Sequence, residues 1–149
     1  GPISAGALPE NIDLIIAAHN HRFIPTEVLA ASRLGGLSYH PSLLPLHRGR
    51  DAIRWTIRDR DRVTGGSVYW LSDQVDAGPI AAQDWCFVRS DDTASSLWQR
   101  ELFPMGLRLF EKVLGDLLCD RVRRTEQDES LATWEPRFAC PTLAAGISA

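Results

Sequence analysis

Short apolar runs alternate with amphipathic stretches along this chain of 149 residues, and that alternation constrains the fold more than any other feature. Runs of strand type are predicted at residues 13–18, 37–40, 67–71 and 79–88. Helical spacing predicts short helices at residues 25–31 and 51–60. The Gly65-Gly66 pair is typical of a turn. Two parallel strands followed by one hairpin are therefore expected, in an α/β domain.

A longer helix is predicted to begin after Thr93, because a threonine preceded by acidic residues suits a helix N-terminus. Its apolar stripe recurs at helical spacing and consists of Leu102, Leu109, Phe110, Val113, Leu117 and Leu118. Pro104 lacks an N–H donor, so we expect a kink or a break there. After Cys119 the sequence turns polar. We expect residues 1–119 to form one domain and residues 120–149 a tail that packs partly on it.

Charge and cysteine content exclude several classes of protein. The net charge is −3 and the pI is about 5.8, so no basic field exists to hold a phosphate backbone, and nucleic acid is not an expected partner. No apolar run is long enough to cross a bilayer, so no membrane association is expected. Cys86, Cys119 and Cys140 form no CxxC pair or metal spacing. They predict free thiols in a reducing cytosol, hence a cytoplasmic protein.

His40 lies at the carboxyl end of the second predicted strand, where open α/β sheets bind their ligands. Pro41 disfavours helical geometry at the residue before it, so His40 is expected to be extended. Residues 42–45 then form a stiff apolar loop beside the imidazole. An isolated histidine is usually structural, but the strand end and the nearby prolines favour a functional role.

Residues 72–79 join two predicted strands and carry the carboxylates Asp73 and Asp76. Aspartate and glycine populate turns for conformational reasons, so this pattern alone is a weak signal of function. A carboxylate and an imidazole that meet across a crevice are able to activate water or an amine. The sequence leaves open whether Asp76 and His40 meet.

Two further patterns allow both a structural and a functional interpretation. His19 and His21 suggest a metal site, but no third ligand is evident, so a loop lining a flat heteroaromatic ligand is favoured. Six arginines follow in one stretch: Arg48, Arg50, Arg54, Arg58, Arg60 and Arg62. Three of them recur every four residues, as on one helix face. A solvated face with ion pairs is favoured, and the alternative is a contact for an anionic ligand.

Together these segments resemble the formyltransferase family that uses 10-formyltetrahydrofolate, which includes glycinamide ribonucleotide and methionyl-tRNA formyltransferases. The family's His-Pro-Ser-Leu-Leu-Pro signature stands at residues 40–45, and its Val-Asp-x-Gly loop at residues 75–78. The resemblance is strongest to the hydrolase domain of 10-formyltetrahydrofolate dehydrogenase. Its Phe-Ile-Pro, Tyr-His-Pro-Ser, His-Arg-Gly, Asp-Thr and Leu-Phe-Pro motifs recur here in the same order, at residues 23–25, 39–42, 47–49, 92–93 and 102–104.

The resemblance implies a Rossmann-like formyltransferase fold, a three-layer α/β sandwich, and a set of site residues. It implies that His40, Asp76 and Ser38 are catalytic, with Ser38 as a hydrogen-bond donor to the formyl oxygen. It implies a cofactor-binding set of Arg22, Phe23, Ile24, Leu43, Leu44, Leu71, Ser72, Asp73, Val75 and Gly78. No metal is implied, and the arginine stretch gains a folate tail as a further candidate ligand.

Two departures from the family pattern bear on activity. The transferases carry asparagine where this chain has Ser38, and losing one such oxyanion donor costs about 10²–10³ in rate in a comparable setting. The hydrolase domain of the dehydrogenase also lacks that asparagine. The chain opens where the second half of the family's sheet begins, and Gly1-Pro2 is typical of a cleaved tag. We therefore expect the N-terminal half of the domain to be lacking.

The leading hypothesis is formyl transfer from the cosubstrate 10-formyltetrahydrofolate to a small-molecule amine, with His40 and Asp76 as the proton-transfer pair. The first alternative is hydrolysis of the same cosubstrate to formate, with water as acceptor. The second is a non-catalytic folate-binding or interaction domain. A homodimer or an upstream domain that completes the sheet is an expected partner. Lys112 is the only lysine among 16 cationic residues, which indicates a bacterial protein.

Overall fold

The computed structural model describes residues 4, 6, 8–18, 20 and 22–137, and they are arranged around a mixed sheet. The strands are β1 (Ile15–Ala17), β2 (Gly36–His40), β3 (Arg48–Gly49), β4 (Val63–Trp70), β5 (Ile80–Phe87) and β6 (Trp134–Glu135). The helices are α1 (Thr26–Leu29), α2 (Ala52–Asp59), α3 (Ala94–Leu97) and α4 (Phe103–Leu118). A π-helical turn, Trp98–Leu102, joins α3 to α4, and a 3₁₀ turn spans Glu129–Leu131.

The main sheet has the order β1-β2-β4-β5. β1 and β2 are parallel, with Ile16 opposite Leu37. β2 then pairs antiparallel with β4, and β4 pairs antiparallel with β5. The predicted pair of parallel strands followed by one hairpin is confirmed, and so is the α/β class. Because β1 and β2 are parallel, their carboxyl ends lie at the same edge of the sheet.

The prediction of a turn at Gly65-Gly66 was wrong, because both residues lie inside β4. A Cβ atom on Gly65 would lie 2.1 Å from the carbonyl oxygen of Asp84 on the paired strand, and one on Gly66 would lie 2.2 Å from the Tyr39 hydroxyl. Neighbouring groups approach the backbone too closely for any side chain there. Glycine marks a close contact within a strand at this place, not a change of chain direction.

The long helical region begins as predicted at Thr93, which forms a capping box with Ser96. Pro104 does not break it. The chain stays helical through the π-turn, and Pro104 is the second residue of α4. The wider π-turn directly before it is the kind of local adjustment by which a helix accommodates a residue that cannot donate to the preceding turn. Leu102, Leu109 and Val113 of the predicted stripe are buried. Leu118 is the exception, at 90% exposure, because the helix ends beyond the edge of the core.

The core lies between the sheet and the long helical region. It includes Leu37 and Val68 from the strands and Leu97, Leu102 and Val113 from the helices, all fully buried. Cys86 is buried in the same core, whereas Cys119 is exposed, and both are free thiols. The expectation for Cys140 lies outside the described residues. In the part of the chain that the structure describes, no helix combines the length and the apolar character needed to cross a membrane.

The segment after α4 returns to the sheet and contacts the loops that carry the predicted site. Thr125 forms a bridge with Ile80 at the start of β5. β6 pairs parallel with β3, with Trp134 opposite Arg48. The Trp55 indole of α2 donates to the carbonyl oxygen of Pro136 over 2.9 Å. These contacts place the segment after α4 against the chain that follows Asp76 and against the chain that follows His40.

Candidate active site

Ser38 and His40 both lie in β2, two residues apart, so their side chains project to the same face of the sheet. Opposite them in β4 stand Tyr69, paired with Ser38, and Ser67, paired with His40. Ser38 and His40 are 7% exposed, and both line a cleft at the carboxyl end of β2. The strand register thus brings Ser38, His40 and Tyr69 to one wall.

His40 is oriented by the loop that follows it. Its Nε2 lies 2.7 Å from the carbonyl oxygen of His47. Because a carbonyl oxygen only accepts hydrogen bonds, Nε2 carries the ring proton, and in the neutral ring Nδ1 keeps its lone pair. Nδ1 lies 3.6 Å from Oδ2 of Asp76. The two predicted catalytic residues, 36 positions apart in the chain, therefore come together through this ring nitrogen.

Asp76 is buried and stands at a turn with a φ of 54°, a left-handed conformation that aspartate tolerates better than most residues. Both of its carboxylate oxygens accept hydrogen bonds. The Tyr69 hydroxyl donates to Oδ1 over 2.6 Å, and the Gly49 N–H donates to Oδ2 over 2.8 Å. Burial and the Asp76 charge raise the pKa of Tyr69 well above its usual range, so the phenol stays a neutral donor.

The cleft has a volume of about 890 Å³, within the range of small-molecule sites. The predicted residues Arg22, Phe23 and Ile24 line it, and so do Leu71, Ser72 and Val75 from the same predicted set. His40 and Asp76 also belong to the lining. This combination of apolar and titratable side chains suits a flat ring system bound beside a reacting group.

Four residues of the predicted cofactor-binding set do not line the cleft: Leu43, Leu44, Asp73 and Gly78. The Leu43 side chain lies against Gly65, and Leu44 is buried. Asp73 is exposed at the tip of its loop. A Cβ atom on Gly78 would lie 1.8 Å from the carbonyl oxygen of Trp70, so this glycine permits a close approach to β4. Their positions support packing and turn roles.

The arginine stretch divides into three environments. Arg48 is 2% exposed, so the interpretation of a solvated face is wrong for this residue. It bonds to Gln127 and Glu129, which accept from its guanidinium. Arg50 and Arg54 are exposed and line the cleft. The Arg58 guanidinium stacks on the Trp55 ring, 4.4 Å from its centroid.

His19 and His21, the predicted metal-type pair, lie outside the described residues. Among the residues that the structure describes, one group has a composition able to bind a metal: His47, Asp59 and Glu135. The His47 ring already bonds on both sides, with Nε2 2.8 Å from Asp61 and Nδ1 2.9 Å from Glu135. These contacts connect the loop before β3 to the end of α2 and to β6.

Comparison with known proteins identifies the family to which this chain belongs. Residues 4–112 match the family described as Formyl transferase. The chain belongs to the formyl transferase family. It is 42% identical over 114 residues to the mitochondrial 10-formyltetrahydrofolate dehydrogenase of Mus musculus, a match that covers 76% of this chain and 12% of that protein. It is 34% identical over 126 residues to the methionyl-tRNA formyltransferase of Methylacidiphilum infernorum, over 85% of this chain and 39% of that protein.

The formyl transferase fold is also recognised in three dimensions. The crystal structure of HypX from Aquifex aeolicus in complex with tetrahydrofolic acid superposes with a TM-score of 0.77 and 27% identity. That match covers 85% of this chain and 22% of HypX. The chain therefore spans less than half the length of each of these three relatives. The expected formyltransferase α/β fold is confirmed.

Sequence reasoning missed the groups that hold the candidate site together. Tyr69 and Gly49 donate to Asp76, and Gln127 donates to the backbone around it. Tyr69 was discoverable in principle, since its strand alternation with Ser67 would place it opposite Ser38 once the register was known. Gln127 carries no local signal, because it stands in a polar stretch 51 residues from Asp76.

Proposed function

We propose that this chain transfers a formyl group from 10-formyltetrahydrofolate to a small-molecule amine, with His40 and Asp76 as its proton-transfer pair. The observation that carries the proposal is the 3.6 Å distance between His40 Nδ1 and Asp76 Oδ2, two residues that line a cleft of about 890 Å³. The folate named in two of the relatives supports the choice of cosubstrate. Phe23, Ile24, Leu71 and Val75 give the cleft apolar surface that suits a flat pterin.

In this proposal the amine nitrogen bonds to the formyl carbon while the bond from that carbon to the folate nitrogen breaks. His40 Nδ1 accepts the proton that the amine loses and passes it toward the departing nitrogen, so the number of protons is conserved. Asp76 stabilises the imidazolium that forms and is itself held by Tyr69 and Gly49. The Ser38 hydroxyl donates to Ala17 O over 2.9 Å and would exchange that bond for one to the formyl oxygen.

The test compares wild type with His40→Ala and Asp76→Asn, following formylated amine and released tetrahydrofolate. General acid–base catalysis contributes about 10²–10⁴ in rate, so both variants should lose activity of that order. Folate affinity should change much less, because neither residue supplies apolar surface to the cleft. Equal turnover in all three proteins would contradict the proposal.

Hydrolysis to formate is the second candidate, and Ser38 is the observation that favours it. The resemblance implies an asparagine there in the transferases, and the serine hydroxyl is already bonded to the backbone of β1. In hydrolysis, water replaces the amine and His40 takes its proton. Formate released from saturating cosubstrate without any amine would favour this candidate, whereas formylated product without formate would favour transfer.

We further propose that Arg50 and Arg54 contact an anionic part of the acceptor or of the folate tail. Arg50 lies just before α2 and Arg54 within it, and both line the cleft, where a phosphate or carboxylate would meet two guanidinium groups. Arg50→Gln should raise the KM for an anionic ligand several-fold with little change in kcat. The matched control is Arg58→Gln, because Arg58 lies in the same helix as Arg54 but stacks on Trp55 and does not line the cleft.

The edge of the sheet suggests a partner that completes it. β1 is an edge strand of the main sheet, and Ile16 is 48% exposed. We propose that further strands pair with β1, either from an upstream domain or from a second copy of the chain. Light scattering distinguishes the two, since only the second requires a dimer. The domain boundary at residue 119 and a cytoplasmic location remain predictions.

A further inference from the structure

The turn that presents Asp76 is held by a buried side chain from the C-terminal segment. Gln127 is 8% exposed, and its Nε2 donates to the carbonyl oxygen of Asp76 over 2.9 Å and to that of Gly78 over 2.8 Å. Asp76 itself has a positive φ of 54°. A non-glycine residue keeps such a conformation only where surrounding contacts hold it. The two N–H groups of Gln127 supply such contacts on both sides of Ala77.

The other end of the same amide is held by Arg48. Gln127 Oε1 accepts from Arg48 Nε over 3.1 Å and from Nη2 over 2.7 Å. The guanidinium is completed by Glu129, which accepts over 2.9 Å and 2.6 Å. These bonds favour the ionised carboxyl of Glu129, so the pKa of Glu129 is lowered. The amide oxygen and the amide nitrogen of Gln127 therefore both have hydrogen-bond partners, and Arg48 is held next to Gln127 by two of these bonds.

Arg48 directly precedes Gly49, the residue whose N–H donates to Asp76 Oδ2. Gln127 thus connects both partners of that bond: it holds the Asp76 turn through its amide nitrogen and the Gly49 backbone through Arg48. The bonded carboxylate oxygen is the one that lies 3.6 Å from His40. A change at Gln127 would move the two loops relative to each other without touching the cleft, because Gln127 is not among its lining residues.

We infer that Gln127 is a positioning residue that fixes the Asp76 carboxylate against His40, an inference that rests on the proposed function of this pair. The side chain acts through Asp76 and makes no contact with substrate. Its contribution should therefore appear in kcat and not in the KM for folate. It should also depend on the presence of the Asp76 carboxylate.

The kinetic test replaces Gln127 with methionine, which keeps the length and removes both polar ends. Gln127→Met should lower kcat about tenfold and leave the KM for 10-formyltetrahydrofolate within about twofold. Glu126→Met introduces the same side chain at the exposed neighbouring position and should change neither. In an Asp76→Asn background, Gln127→Met should lower the residual kcat less than about twofold. An equal loss in both backgrounds would mean a purely structural role and would overturn the inference.

Amide hydrogen exchange by NMR tests the geometry without any turnover. Gln127→Met should increase the exchange rate of the Gly49 amide tenfold or more, because its acceptor on Asp76 moves. The Val68 amide in the centre of the sheet should keep its wild-type rate, which shows that the variant is folded. Unchanged exchange at Gly49 would overturn the inference. A wild type that forms no product would overturn the proposed function, and the exchange comparison would still decide the role of Gln127.

Discussion

The Gly49 N–H donates a 2.8 Å hydrogen bond to Asp76 Oδ2, although 27 residues separate the two in the chain. The same oxygen is the one nearest to the His40 ring, at 3.6 Å. The placement of the carboxylate therefore depends on the loop after β2 as much as on the Asp76 turn itself. Both candidate catalytic groups take their orientation from residues 47–49, since His40 Nε2 donates to His47 O.

The first prediction concerns the second donor to Asp76. Tyr69→Phe removes the 2.6 Å hydrogen bond to Oδ1 and keeps the ring. Hydrogen bonds to charged groups contribute about 1.5–3 kcal/mol, so kcat should fall roughly 10- to 100-fold. Steady-state kinetics with 10-formyltetrahydrofolate provides the measurement.

A matched control for Tyr69→Phe is Tyr39→Phe. The Tyr39 hydroxyl donates to a backbone carbonyl, that of Leu102, over 2.7 Å, and not to Asp76. Its loss should lower stability by about 1 kcal/mol and leave kcat within roughly threefold. If the two variants lost kcat equally, the prediction would be contradicted, because the hydrogen bond from Tyr69 to Asp76 would then contribute no more to the rate than the bond from Tyr39 to Leu102.

The two described cysteines should react very differently with alkylating reagents. Burial raises the pKa of the Cys86 thiol to about 11, with a further contribution from the nearby carboxylate of Glu101. The thiolate is the reactive form, so Cys86 should stay unmodified by iodoacetamide at pH 7.5. Cys119 is exposed and should be labelled under the same conditions. Peptide mass spectrometry gives the labelled fractions, and comparable labelling of both native thiols would show that the core around Cys86 opens readily.

Local patterns in the sequence were sufficient to predict the strands on either side of the site and the position of His40. Residues 37–40 combine strand propensity with a following proline, and Thr93 stands before a helical stripe; each signal lies within a few residues. The Asp76 loop was found in the same way, as a turn between two strand-type runs. Elements of this kind are determined by short-range periodicity and turn chemistry.

The contacts that complete the site depend on tertiary structure, and no short window of sequence contains them. Gln127 meets Asp76 only after the chain has passed through β5 and the long helical region. Gly65-Gly66 was misread for the same reason, because the close approach of Asp84 and Tyr39 appears only in the paired sheet. Arg48 resembled its five neighbouring arginines in sequence, and burial by the C-terminal segment is what sets it apart.

The charge network before the long helix should make stability depend on pH. Burial opposes the charge on Asp92, but hydrogen bonds from the Arg100 side chain, the Arg89 N–H and the Ser96 hydroxyl outweigh it, so the pKa of Asp92 is lowered. A pKa lower in the folded than in the unfolded state adds stability above the ordinary value, about 3.9 for aspartate. That stability is lost as the pH falls through the lowered value.

Asp92→Asn should accordingly reduce Tm by roughly 3–8 °C at pH 7, and the difference from wild type should shrink as the pH drops below about 4. Differential scanning calorimetry between pH 7 and pH 3 measures both effects. Asp91→Asn removes the same charge from the exposed neighbouring residue and should leave Tm within about 1 °C. A gap between wild type and Asp92→Asn that stayed constant at all pH values would rule out the proposed linkage.

The last prediction separates two glycines by their surroundings. A Cβ atom on Gly65 would lie 2.1 Å from the carbonyl oxygen of Asp84, a rigid backbone atom, so Gly65→Ala must push β4 and β5 apart. Overpacking of this kind costs about 3 kcal/mol, which corresponds to a Tm lower by roughly 6–12 °C for a domain of this size.

Gly115 lies in α4, and a Cβ atom there would meet nothing within 4 Å. Gly115→Ala should raise stability by about 0.5–1 kcal/mol, because alanine restricts the unfolded chain and favours the helix. Thermal unfolding of the two variants and of wild type measures both effects. A Gly65→Ala protein with the Tm of wild type would contradict the prediction, because it would show that β4 and β5 move apart there at no cost in stability.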